Sequence, residues 1–408
     1  MHQTTPPTTT PGHRQPNRPL DYGQQPERRL GLVGQVGALL LDGYRQLNAA
    51  RLFWVTLGIS GLLVVVFLLL GITEEGVTFA GFRVLPFLTT EMMSEARFYK
   101  LLFTNLGVGW WLTLGAVILA LISTASLFPD LMSGGAIDLY LSKPLSRWTL
   151  FLTKYVTALL FVALQVAVFC TASFLVIGLR GGEWVWGIFL AVPLVVLFYS
   201  YIYVFCTLFG VISRSTLAAI LLTVLVWFGM FLVGTAEFVT KMFALAAERQ
   251  VEQVETFRGR YETRLSREMA QPEAERNQAT LSEANFFLND SKDDAARAET
   301  NRSTTRLLHN IAFGIYTVTP KTGETTALIE RWIIDFAELR DEDDDFVAEE
   351  PEESNLSGLM ELVDDPSVTR ELVEERRERS WVYIIGTSLA AEAVLLLLSG
   401  WIFVRRDY

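Results

Sequence analysis

Six runs of about twenty apolar residues limit what this chain can fold into. They lie near Leu52–Gly71, Trp110–Leu127, Leu150–Leu179, Val185–Phe209, Leu217–Gly234 and Trp381–Val404. A helix rising ~1.5 Å per residue crosses the ~30 Å hydrocarbon layer in about twenty residues. Inside that layer every backbone N–H and C=O must be satisfied locally, so such runs form helices rather than loops. Half of the 408 residues are hydrophobic and mean hydropathy is +0.32, which agrees with an all-α membrane protein of six transmembrane helices. The third run is long enough to tilt. Pro193 predicts a kink in the fourth. Trp110, Trp111, Trp184, Trp186 and Trp381 stand at the ends of runs, as interfacial tryptophans do.

Charge divides the chain. Its net −11 is concentrated between Lys241 and Arg379, where 18 basic residues face 32 acidic ones, while the remainder carries a small positive excess. The acidic part reads as a water-facing insert, residues 241–380, between the fifth and sixth helices. Nucleic acid is an implausible partner for so acidic a segment. Cys170 and Cys206 both sit in apolar runs and offer no disulfide framework. His2, His13 and His309 are too scattered for a metal cluster.

Residues 1–28 are rich in Pro, Thr and Gln and predict a disordered cytoplasmic tail without the pattern of a signal peptide. In residues 29–51, Leu32, Val36, Leu39, Leu40, Tyr44 and Leu47 recur at helical spacing beside Arg45 and Arg51. This predicts an N-terminal interfacial helix, the alternative being that it begins the first span. The membrane domain then covers residues 52–240, and residues 381–408 hold the sixth helix and the C-terminus. Arg28, Arg29, Arg45 and Arg51, Lys143, Arg147 and Lys154, Arg214, and Arg405 with Arg406 fall on one side if six helices alternate. That side is expected to be the cytoplasm, with both termini inside and the plasma membrane as location. The loop of residues 72–109 and the insert are then outside.

Within the insert, Phe243 to Phe287 predicts one or two solvated helices. The apolar stretch Leu307–Val318, stopped by Pro320, predicts a re-entrant or surface-docked helix, or else a core helix of the external domain. Asp341–Asp365 is a dense acidic run without the spacing of a calcium loop.

A short polar stretch, Phe128 to Arg147, separates the second and third runs and cannot remain in hydrocarbon. The chain has no phosphate-cradling Gly-Lys-Ser/Thr loop, no His-Glu-x-x-His helix and no Gly-x-Ser-x-Gly elbow. No enzymatic chemistry is expected of it. The stretch runs Ala125-Ser126-Leu127-Phe128-Pro129-Asp130, then Gly134-Gly135-Ala136-Ile137-Asp138-Leu139, then Leu141-Ser142-Lys143-Pro144-Leu145-Ser146-Arg147, with Lys154-Tyr155 following. It resembles the cytoplasmic signature of ABC-2-type transporter permeases, nearest the multi-copper enzyme maturation (NosY-like) branch. That signature has an acidic residue, a Gly-Thr or Gly-Ser, a Lys-Pro or Arg-Pro, a Ser-Arg pair and a later Lys. Asp130 stands where the family usually has Glu, and Ala136 near its Thr or Ser. The resemblance covers roughly residues 30–240 and 380–408, and touches Leu307–Lys321.

The resemblance implies the permease subunit of an exporter, working as a dimer with a second permease copy or paralogue. It implies two cytoplasmic ABC ATPase subunits as partners. ATP and magnesium would belong to the ATPase, with no cofactor in this chain. A coupling loop at residues 128–149 would dock on the ATPase, with Asp130, Gly134, Gly135, Asp138, Lys143, Pro144, Arg147 and Lys154 as its residues. Gly134 and Gly135 would allow a sharp turn, Pro144 would open the third helix, and Arg147 and Lys154 would meet headgroups or ATPase carboxylates. The plainer reading of these cations is that they only set topology. Glu392 lies mid-way along the sixth run, where a charge costs ~2.5–3.5 kcal/mol, so it should face protein or water, or carry a proton. It lines a transport path or dimer seam, or is a carboxyl hydrogen-bonded between helices, with Gln165 as a possible partner. The rival to export is a membrane-anchored scaffold or sensor acting through its acidic domain.

Overall fold

The computed structural model describes residues 51–86, 89–90, 93–132, 146–333 and 366–406, with seven single residues between 34 and 45. Those seven are helical, and a Cβ at Gly43 would strike Thr157 of the third membrane helix. The tail, Asp341–Asp365, and Gly134, Gly135, Asp138, Lys143 and Pro144 lie outside the described residues.

Six helices are long and apolar enough to cross a membrane: α1 (Arg51–Leu69), α2 (Glu95–Met132), α3 (Arg147–Arg180), α4 (Trp186–Ser213), α5 (Thr216–Met269) and α9 (Trp381–Arg405). The chain therefore has the make-up of a multi-pass membrane protein. Each expected run lies in one of these helices, but two run further than hydropathy shows. Helix α2 begins at Glu95 with Ser94 as its cap, because Lys100 is buried against Glu183 (2.9 Å) and the Thr104 hydroxyl bonds back to Lys100 O (3.1 Å). Between Leu102 and Ala116 it widens into π-helical turns. Pro193 does not kink α4. It falls in the first turn of the α-helical part, after a 3₁₀ turn at Trp186–Leu190, where a missing N–H costs no hydrogen bond. Arg214 in the left-handed region ends α4, and Ser215 caps α5 at once, so α4 and α5 are antiparallel neighbours.

The fold is mostly helical rather than all-α. The end of the first expected run and the start of the outer loop form a three-stranded antiparallel sheet, β1 (Leu70–Thr73), β2 (Gly76–Phe79) and β3 (Phe82–Leu85), in the order β1-β2-β3. Gly76 (φ 123°) and the pair Ala80 (φ 51°) and Gly81 (φ 86°) make its turns. Tyr99 Oη and Arg180 Nη2 both donate to Leu70 O (2.6 and 3.2 Å), which fastens the sheet to α2 and α3.

Helices α3 and α4 form the centre. Phe128, Phe151 and Phe403 close one end of it, and Tyr155, Tyr199 and Tyr203 stack in the middle. Around this centre α1, α5 and α9 leave Trp54, Leu62, Leu221, Phe228, Val394 and Leu397 exposed. That outer face suits lipid tails, which need no polar partner.

Helix α5 continues without a break for 54 residues, about 81 Å. The charged insert thus begins as the extension of a membrane helix, not as a separate domain. After a turn, α6 (Gln278–Val318) runs back beside it. Ala247, Val254 and the half-buried Tyr261 of α5, and Ala284, Ser291 and Ala298 of α6, turn away from solvent, each set spaced by seven as in a supercoiled pair with small residues allowing close approach. Phe287 packs on Tyr261 (4.8 Å), and Asn301 donates to Gln250 (3.1 Å). The apolar stretch Leu307–Val318 is therefore the last part of a 41-residue helix rather than a short helix of its own. Helix α7 (Thr322–Ile333) then turns in against α4, burying Leu328 and Ile329. Helix α8 (Pro366–Glu378) lies along α5 through Val368 and Leu372, with Arg249–Glu371 and Lys241–Glu375 ion pairs.

Candidate functional site

The described ends of the expected coupling segment, Met132 and Ser146, lie at the end of the bundle opposite the hairpin. Asp130 is exposed on the last turn of α2. Ser146 caps α3 by accepting from Thr149 N (3.0 Å). Arg147 then reaches across to the last helix, where Nη1 donates to Val404 O (3.0 Å) and Arg406 O (2.9 Å). Arg406 in turn donates to Val211 O (2.6 Å) and Ile212 O (3.1 Å) at the end of α4. Each guanidinium satisfies carbonyls that a helix C-terminus leaves unpaired. The ring of Trp148 fills the space above Gly400. The ends of α3, α4 and α9 are thereby held as one block. Arg147 binds its own chain rather than standing out toward a partner, and Lys154 is buried, only 4% exposed. Arg147 itself stays half-exposed, whereas Lys154 was expected at a surface. The hydropathy of Lys154 is that of a surface cation, and only the packing shows otherwise.

Glu392 lies inside the bundle of its own chain. Tyr155 Oη donates to Oε1 (2.7 Å) and Ser200 Oγ to Oε2 (2.9 Å), which joins α9 to α3 and α4. The carboxyl is thus hydrogen-bonded between helices. Gln165 is not its partner. It faces Thr56 and Ser60 of α1 elsewhere in the core, and its Nε2 is buried without an acceptor. The signal for the true partners was present in Tyr155 and in the Tyr199-Ser200-Tyr201 triplet, which interrupt otherwise apolar runs.

A second polar centre, missed in the sequence, lies at the hairpin end. Glu237 of α5 is 1% exposed and receives Arg379 Nη2 (2.6 Å) and Arg376 Nη2 (3.4 Å). Arg379 Nη1 also reaches Glu324 Oε1 of α7 (2.6 Å). Burial opposes the charge of Arg379, but the hydrogen bond it donates to Glu237 and the charge of Glu324 outweigh it and hold its pKa above the ordinary value. Lys321, fully buried, donates to Thr387 Oγ1 (2.7 Å) and lies over the rings of Tyr383 and Tyr316. Burial pushes its pKa down to about 8. Glu237 and Lys321 each follow an apolar run closely, and that was the available signal. Beside the cluster a cavity of about 750 Å³ opens between α2, α5 and α7. Among the described residues no group of three His, Cys, Asp or Glu converges to hold a metal.

These features define a six-helix multi-pass membrane protein with a helical hairpin at one end and an arginine-latched block at the other. Comparison with protein-family models, curated proteins and solved structures gives no match.

Proposed function

We propose that the chain is the permease subunit of an ABC-2-type exporter, driven by a separate cytoplasmic ATPase and paired with a second permease. The observation that carries this is the latched block. The polar segment between α2 and α3 is joined to α3 at Ser146, next to where Arg147 and Arg406 tie α3, α4 and α9 together. A push on that segment moves these helices as a unit, because packed interfaces shift between discrete arrangements rather than deforming smoothly. In this reading the latched end is cytoplasmic, both termini are inside at the plasma membrane, and ATP and magnesium act in the partner.

The test is co-purification with the cognate ATPase and ATP turnover in liposomes. Gly135→Trp should abolish stimulated turnover while the chain still inserts and melts as wild type. Unchanged assembly and turnover would refute the coupling assignment. So would labelling of Lys143 by an impermeant reagent in intact cells.

The length of α5 beyond Gly234 favours a second reading, a scaffold or sensor acting through the hairpin. Removing residues 251–300 would close the hairpin at the Gln250–Asn301 pair. Lost recruitment of a partner with ATP coupling intact would favour this second role.

A further inference from the structure

The cavity at the hairpin end joins an apolar wall to cations. Trp227, Met230 and Phe231 of α5 line it, and so do Arg331 of α7 and Arg376 of α8. Its volume, about 750 Å³, is in the ~300–1,000 Å³ range of small-molecule sites. Phe231 is also 61% exposed, so the cavity opens sideways onto the apolar outer face of α5. A hydrocarbon chain can enter from the bilayer without crossing water.

Helix α5 serves as a ruler for depth. Arg214 and Arg406 mark the latched edge of the bilayer, just before α5 begins at Thr216. At ~1.5 Å per residue, Trp227 to Phe231 stand ~17–23 Å from Thr216, and Glu237 stands ~32 Å from it. A hydrocarbon layer of ~30 Å therefore covers the aromatic wall and ends near Glu237. At that level Arg376 reaches Glu237 (3.4 Å) and lies over the Phe238 ring. Arg331 is tied to the same level through Arg379, whose carbonyl receives its Nη1 (3.1 Å) and whose own Nη2 holds Glu237. The cavity thus spans the boundary between acyl chains and headgroups, with its cations at headgroup depth.

Charge selects the head. Among the described residues, the charged side chains lining the cavity are Glu324, Arg331 and Arg376. The Glu324 carboxylate is already engaged, by Arg379 (2.6 Å) and by the Tyr316 hydroxyl. Arg376 has its carboxylate only at 3.4 Å and stays 36% exposed, and Arg331 has no carboxylate partner among the described residues. Guanidinium groups offer a planar fork of N–H donors that matches phosphate oxygens in pairs.

We propose that this cavity binds an anionic phospholipid, a phosphate diester whose headgroup carries no cation. The phosphate meets Arg331 and Arg376, and one acyl chain lies along Trp227, Met230 and Phe231. A zwitterionic lipid would bring an ammonium beside two arginines, where the Glu324 carboxylate is already taken. The site goes beyond the exporter reading and does not depend on it.

Native mass spectrometry of the full chain in detergent tests this, with phosphatidylglycerol, phosphatidylcholine and phosphatidylethanolamine of identical acyl chains titrated in turn. One phosphatidylglycerol per chain should bind at least tenfold tighter than either of the others. Arg331→Gln should bring phosphatidylglycerol down to the level of phosphatidylcholine. Arg306→Gln, an exposed arginine of α6 that does not line the cavity, should leave binding within twofold of wild type. Gly323→Trp is the second cavity variant, since Gly323 lines the site and a Cβ there meets nothing within 4 Å. It should lower phosphatidylglycerol binding at least tenfold with melting unchanged. Equal binding of the three lipids, tightest binding of a zwitterionic lipid, or equal losses in Arg331→Gln and Arg306→Gln would each overturn the proposal. No ATPase is present, so a negative result leaves the exporter reading standing, and failed ATPase assembly leaves this site standing.

Discussion

Replacing Arg379 with Met strips two buried carboxylates of their shared cation. Glu237 then keeps only Arg376 at 3.4 Å, and Glu324 loses the guanidinium at 2.6 Å. The side chains concerned are 13%, 1% and 10% exposed, so solvent offers little relief. Removing one partner of a buried ion pair costs about 3–5 kcal/mol. The loss should fall first on the docking of α7 and α8, which Arg379 joins to α5. At ~1.4 kcal/mol per tenfold, the lower limit raises the undocked population by about two decades. Amide hydrogen exchange reads this directly. Exchange across Thr322–Ile333 and Pro366–Glu378 should accelerate about 100-fold or more, with α3 unchanged. The combined change Arg379→Met, Glu237→Gln and Glu324→Gln removes the charges together and should recover exchange to within about tenfold of wild type. Unchanged exchange in the single variant, or a triple variant worse than the single, would refute the argument.

Lys321 gives a pH signature. Its folded pKa, pushed down to about 8 from an ordinary 10.5, means the unfolded chain holds a proton between those pH values that the folded chain has shed. Stability therefore rises as pH climbs from about 8 toward 10.5, and thermal melting of wild type should show a rise that Lys321→Met lacks. At the latched end, Gly400→Ile drives a branched side chain into the Trp148 ring. Overpacking of this kind costs about 1–3 kcal/mol, to be read as an earlier denaturation midpoint, and a midpoint equal to wild type would show that α3 and α9 pack more loosely than described.

The six membrane helices were legible because hydrocarbon makes a local demand. A run such as Leu217–Gly234 must satisfy its own backbone wherever the rest of the chain goes. The continuity of α5 was legible too, since no proline stands between Pro193 and Pro272, but the change from apolar to charged residues near Lys241 suggested a domain boundary instead. The strands at 70–85 carried turn glycines at Gly76 and Gly81 that were read only as loop. What the sequence could not determine is which polar side chains meet. Glu392 finds Tyr155 and Ser200, 237 and 192 residues away, and Arg379 finds Glu237 across 142. Such pairs depend on how far each helix is rotated about its axis against its neighbours. Hydropathy sets that a helix lies in the membrane, whereas packing of the Phe, Tyr and Gly surfaces sets which face it turns inward. The spans are thus a property of the residue order alone, and the carboxylate, latch and cavity belong to the tertiary structure.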